Sequence, residues 1–145
     1  MGTDEKSVIR IGGLELRFLT DEDDSDGRVV MFEFTVPPGS RVPAPHFHVA
    51  VDETIYGLDG TTDTTMNGVA HRIGPGDSLF IPRGAVHSHE NHGTATARSL
   101  IVLTPGSIGR RYFAEMAVEL VGGGKPDPAR IAAIMARHGL QTAGP

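Results

Sequence analysis

The chain has 145 residues and no cysteine, which excludes disulfides, thiolate nucleophiles and cysteine-based zinc sites and fits a reducing compartment. Its length suits one domain with a real core, and 39% hydrophobic against 21% charged residues is the balance of an ordinary soluble globular protein. A net charge of -5 with no Lys/Arg run argues against nucleic acid or a membrane as partner.

The first seven residues read as a tail without an apolar signal region, and no run approaches the length of a transmembrane helix, so a cytoplasmic protein is expected. Myristoylation at Met1-Gly2 is ruled out because Lys6 stands where Ser or Thr is needed. Residues 8–11 and 14–19 flank Gly12-Gly13 as a strand pair about a turn. The segment from Glu22 to Glu33 nearly meets the calcium-loop pattern of an EF-hand, with Glu22 in place of Asp at its first position. An EF-hand needs helical flanks; these flanks read as strands, and Asp26-Gly27 reads as the turn of an acidic hairpin loop.

Residues 29–36 alternate, with Val30, Phe32, Phe34 and Val36 on one face. Asp59-Gly60, Asn67-Gly68, Pro75-Gly76 and His92-Gly93 then punctuate the chain at near-regular spacing, which predicts an all-β barrel or sandwich. Asn67-Gly68 is the clearest hairpin signal, suited to a type I′ turn, and residues 96–103 supply a late apolar strand. Beyond Pro105-Gly106 the period becomes helical. Phe113, Met116, Ala117, Leu120 and Val121 form one stripe, with Ser107 as N-cap and Gly122-Gly123-Gly124 as terminator. A second helix is expected from Asp127-Pro128, with Ile131, Ile134, Met135 and His138 on one face and a stop at Gly139. The organisation expected is a tail (1–7), a barrel (8–105) and a helical extension (106–145) that covers the core rather than acting as a mobile lid.

Chemistry concentrates in two stretches, 39–60 and 76–91. In a strand, His46 and His48 point the same way, and four residues separate His48 from Glu53, enough for a loop to return a carboxylate oxygen to the same point. His87 follows a Pro82-Arg83-Gly84 turn and would be the fourth ligand. Any one of these histidines alone is more often structural than metal-binding. Burying all four groups unpartnered would cost several kcal/mol, so together they read as one site for a divalent transition ion. Fe, Mn, Ni, Co, Cu and Zn all suit mixed imidazole and carboxylate. His89, two residues past His87, should also face the interior, most simply as a hydrogen-bonded histidine. Tyr56 should face away from the ligands, and His71, His92 and His138 read as surface or turn residues.

The spacing resembles the two motifs of the cupin superfamily. Gly39, His46, His48, Glu53 and Gly60 match the first, apart from six residues instead of five after Gly39, an interval whose Pro43 and Pro45 suggest a loop adjustment. Gly76, Pro82, Gly84, His87 and Asn91 match the second without departure. The wording around PHFHVAVDETIYGLDG is similar to small bacterial quercetin-dioxygenase-like cupins. That resemblance implies a single jelly-roll β-barrel, here with short C-terminal helices, and a homodimer; the two motifs are read as strand-turn-strand hairpins that deliver the four ligands into it. It also implies a dioxygenase acting on an aromatic, enolic or dicarbonyl-like small molecule, with Glu53 leaving the ion to act as base. A metal-dependent isomerase or decarboxylase is the first alternative, and a binding or sensing module without turnover the second.

Overall fold

The structure, a computed structural model, describes residues 7–40, 44–120 and 126–143. Pro43, Val121, Gly122-Gly123-Gly124 and the N-terminal Met1, Gly2 and Lys6 lie outside the described residues. In chain order the elements are β1 (Val8–Ile11), β2 (Leu14–Thr20), α1 (Glu22–Ser25), β3 (Val30–Val36), β4 (His46–His48), β5 (Asp52–Asp59), β6 (Thr62–Met66), β7 (Val69–Ile73), β8 (Ser78–Ile81), β9 (His87–Glu90), β10 (Ala97–Thr104), α2 (Arg110–Leu120), α3 (Pro128–Arg137) and β11 (Leu140–Thr142).

Alternation in the sequence becomes burial in the fold. β3 turns Val30, Phe32, Phe34 and Val36 inward, and β10 does the same with Ala97, Ser99, Ile101 and Leu103. The strands form two antiparallel sheets, one ordered β1-β2-β3-β10-β5-β8 and the other β11-β4-β9-β6-β7, whose inward faces share one hydrophobic core. Asn67 and Gly68 both take positive φ, 49° and 82°, as a type I′ hairpin between β6 and β7 requires. The acidic segment folds into one helical turn, α1, closed by Asp26 in the left-handed region, between the antiparallel β2 and β3.

Three local expectations are corrected. The two motif stretches are not hairpins: β4 pairs with β9 and β11 in one sheet, while β5 pairs with β10 and β8 in the other, and β8 and β9 are likewise divided. Each motif therefore crosses between sheets, because its short turns are spent on changing layer rather than on pairing its own strands. Ser107 does not cap α2, which begins three residues later; its first amide is met from outside, Arg110 N–H donating to Asp21 Oδ1 at 2.9 Å. The C-terminal stretch is not helical throughout, since β11 adds a strand beside β4, with Leu140 opposite His48 and Thr142 opposite His46.

The second helix begins as read from the sequence, Asp127 Oδ1 accepting from Ala129 N–H at 2.9 Å with Pro128 in the first turn. α2 packs on β1, and the buried Met116, Ile134 and Met135 of the two helices join the core. Among the described residues no helix is long and apolar enough to cross a membrane.

Candidate metal centre

The crossings have a geometric result. β4 and β9 bring His46, His48 and His87 from one sheet, and β5 brings Glu53 from the other, so three imidazoles face a carboxylate across the interior. His46 and His87 sit directly opposite in register, with ring centroids 4.6 Å apart; His48 lies 5.3 Å from His46 and 4.8 Å from His87. One ring nitrogen from each of the three lies within 4.8 Å of the others, and a second such group is Glu53, His87 and His89. These are groups that could hold a metal ion.

The backbone sets which nitrogen each ring offers. His46 Nδ1–H donates to Ala44 C=O and His87 Nδ1–H to Ala85 C=O, both at 3.0 Å. A carbonyl only accepts, so the proton sits on Nδ1 and a neutral ring presents the bare Nε2 lone pair, the form a metal needs. His87 is 2% exposed and its Nε2 has no hydrogen-bond partner. The nearest carboxylate oxygen, Glu53 Oε1, lies 3.6 Å away, too far for a hydrogen bond. An orphaned buried nitrogen costs about 1–3 kcal/mol, and one aimed at two other imidazoles and a carboxylate has the surroundings of a metal ligand. The residues fit the ion.

Supporting contacts tie the two crossings together. Arg83 N–H donates to Asp52 Oδ1 at 2.9 Å, and its guanidinium reaches the same carboxylate at 3.2 Å and 3.3 Å, which pins the start of β5 to the turn before β9. Asn91, 1% exposed, donates from Nδ2 to Val36 C=O and Ala95 C=O, while its backbone carbonyl accepts from Gly39 N–H. The asparagine that ends the second stretch thus holds the glycine that opens the first.

Burial, with His87 and His48 as neighbouring charges, pushes His46 down to about 3; burial, partly offset by Glu53, pushes His48 down to about 4. For His87, burial is outweighed by the Glu53 carboxylate and the pKa is raised. For Glu53, burial is likewise outweighed, by His87 and His89, which hold the carboxyl well below its ordinary range. The unfolded chain takes up protons on His46 and His48 near pH 6.5, but the folded chain only near 3 to 4, so these two groups remove stability as pH falls through that interval. Glu53 adds a loss below 4.5, and the raised His87 favours the fold below 6.5 and loses that contribution at higher pH. In EDTA the urea midpoint is therefore expected to be lower at pH 4.5 than at pH 7, and an unchanged midpoint would contradict the neutral, buried state of the His46 and His48 rings.

The histidines and Glu53 floor a cavity of about 90 Å³ whose remaining walls are apolar. Phe32, Phe34, Tyr112 and Phe113 supply an aromatic side; Phe32 and Phe113 meet edge-on at 5.3 Å, and Phe34 meets His89 at 5.8 Å. α2, α3 and β11 close it through Met116, Met135 and Leu140. Tyr112, absent from the stripe read off the sequence, is buried and faces this space. Sequence periodicity missed it because α2 presents its side chains to two partners, β1 and α3.

Tyr56 is exposed and His92 is exposed beside Glu90, as expected. His138 lies in the turn that ends α3, as expected, and is partly buried there: it packs edge-on against Tyr112 at 5.4 Å and its Nε2–H donates to Glu115 Oε2 at 2.8 Å, joining the end of α3 to α2.

Residues 32–103 match the Cupin domain family. The chain is 30% identical over 92 residues to quercetin 2,3-dioxygenase of Bacillus subtilis (strain 168), covering 62% of this chain and 26% of that protein. It is 28% identical over 96 residues to the tetracenomycin polyketide synthase protein TcmJ of Streptomyces glaucescens, covering 66% of this chain and 64% of that one. The chain therefore spans about a quarter of the first of these curated relatives and just under two thirds of the second. The solved structure of the polyketide cyclase RemF from Streptomyces resistomycificus matches with a TM-score of 0.59 and 31% identity, over 72% of this chain and 78% of that one. With the family match running from β3 through β10 and a solved relative alike in sequence and fold over most of its length, the chain belongs to the cupin superfamily.

Proposed function

We infer that this cupin is a metal-dependent enzyme acting on an aromatic, enolic or dicarbonyl-like small molecule, by dioxygenation as the first reading. The observation that carries it is the pairing of an aromatic-walled cavity with a floor of three imidazoles and one carboxylate. His46, His48, His87 and Glu53 would hold one divalent transition ion, with His46 and His87 contributing Nε2. When bound, such an ion supplies Lewis acidity at its open positions and, if redox-active, a meeting point for dioxygen and an electron-rich substrate.

The chain's own residues do the rest. Phe32, Phe34 and Phe113 would pack on the rings of a flat substrate and exclude water, while its enol oxygen turns to the polar floor. Glu53 Oε1 is the carboxylate oxygen facing the imidazoles and would be the atom offered to the ion; on leaving it, Oε1 would take the enol proton as the substrate oxygen acquires charge. The identity to quercetin 2,3-dioxygenase supports an oxidative outcome. The match to RemF over most of both chains favours a second reading, redox-neutral cyclisation of a polycarbonyl compound through the same enolate.

Dioxygen uptake by metal-loaded protein with flavonol, catechol and 1,3-diketone panels tests this. Uptake matched to substrate loss, with kcat falling about 100-fold or more in Glu53→Gln, is the expected result. Substrate loss that proceeds equally without dioxygen would move the assignment to cyclisation or isomerisation. Tight binding of these compounds with no turnover under either atmosphere would make the protein a binding module.

A further inference from the structure

His89 is a buried titratable side chain for which the reading above has no use. It is 5% exposed and held at both ring nitrogens: Nε2 lies 2.9 Å from Glu53 Oε2, and Nδ1 lies 2.8 Å from Thr64 Oγ1. A carboxylate only accepts, so Nε2–H donates to Oε2, and in the neutral ring Nδ1 then accepts from the Thr64 hydroxyl. Thr64 is fully buried and sits opposite His89 in the β6–β9 register, and Phe34 packs edge-on against the ring. The imidazole has one orientation, and Oε2 one fixed partner.

The other oxygen is free of that bond. Glu53 Oε1 is the atom 3.6 Å from His87 Nε2 and 3.9 Å from His48 Nε2. We propose that His89 is a positioning residue: by committing Glu53 Oε2 to its own N–H, it makes Glu53 a one-oxygen ligand and so keeps a coordination position open for an incoming molecule. Carboxylates bind cations through one oxygen or two, and what selects between them is where the second oxygen's hydrogen bonds go. Without the His89 donor, Oε2 has no partner in a dry interior and turns to the ion, closing the position. The proposal rests on the metal-site reading and specifies how that site stays open.

The test uses full-length protein loaded with Co(II), its visible absorption followed during titration with azide. Wild type, His89→Leu, His89→Gln and Thr64→Val are each expected to hold one Co(II). His89→Leu should bind azide at least about 10-fold more weakly, with altered visible bands as a fifth protein atom joins the ion. His89→Gln, whose amide N–H can still reach Oε2, should recover most of the azide affinity, which a role in packing alone would not predict. Thr64→Val, close in shape, should fall between, and it carries the comparison should His89→Leu not fold. Equal azide affinity in wild type and in the Leu and Val variants overturns the proposal. Loss of Co(II) from His89→Leu also overturns it, since that would make His89 a ligand. A wild type that binds no Co(II) sinks the metal-site reading itself, so the two failures are distinguishable.

Discussion

Substituting His87 by alanine is expected to leave a protein without bound metal. His87 belongs to both groups of converging ligand atoms, and it is the one histidine whose Nε2 is buried with nothing to bond. Metal content by elemental analysis should drop from about one ion per chain to a trace. The thermal gain from metal should vanish with it. At an ion concentration 1,000 times Kd, a bound ion adds about 4 kcal/mol. For a chain of this size that is a rise of about 8–16 °C at roughly 2–4 °C per kcal/mol, present in wild type and absent in His87→Ala. In EDTA the sign of the argument changes. The substitution loses packing but also removes an orphaned buried nitrogen, so the metal-free variant should melt within a few degrees of the metal-free wild type. A variant that retained its ion, or one that melted far below metal-free wild type, would show that His87 is a structural histidine.

How much of this was legible beforehand follows from what side-chain order can encode. Alternation marks a buried face, so β3 and β10 could be read, and His46 and His48 could be placed on one side of a strand. The positive-φ tolerance of Asn67-Gly68 marked the β6–β7 turn for the same local reason. Sheet membership is a different matter. Whether β5 pairs with β4 or leaves for the other sheet depends on contacts with β10 and β8, about 25 to 50 residues away, and no local pattern carries that. Thus the convergence of His46, His48, Glu53 and His87 was anticipated from spacing, while the reason for it, two crossings between sheets, was not. His89 shows the same division: its inward direction followed from the two-residue offset, but its hold on Glu53 needed Thr64 of β6 and Glu53 of β5 to be in place. β11 was missed because three residues, Leu140, Gln141 and Thr142, are too short to display a period.

Gly57 shows what a single residue between the matched positions of the first motif can bear, and Gly57→Ala is expected to be the most damaging glycine-to-alanine change among the described residues. It lies inside β5, four residues after Glu53, at a negative φ that any residue can adopt, so turn geometry does not explain it. The cause is a close approach of two backbones. Gly57 N–H donates to Asp77 C=O at 2.8 Å and its own carbonyl accepts from Gly76 N–H at 3.0 Å, which brings the 74–77 turn flat against β5. A Cβ at Gly57 would lie 2.0 Å from Gly74 O and 2.7 Å from Gly74 C, both backbone atoms that no side-chain rotation can move. Either the turn lifts, breaking both hydrogen bonds and shifting the Gly76 end of the second motif, or β5 bends and carries Glu53 with it. A cost of about 3–4 kcal/mol, or a fall in melting temperature of roughly 6–16 °C, follows for a chain of this size. Gly74→Ala is the matched control, because the same contact seen from its other side has room: a Cβ there meets only Asp77 Oδ2 at 3.4 Å and Thr61 Oγ1 at 3.7 Å, and its φ is not positive. That change should lie within about 1 kcal/mol of wild type, on the stabilising side if the loss of unfolded-state freedom dominates. Equal melting temperatures for the two variants would mean that β5 and the turn do not meet as described, and with that the placement of Glu53 opposite the histidines would lose its support.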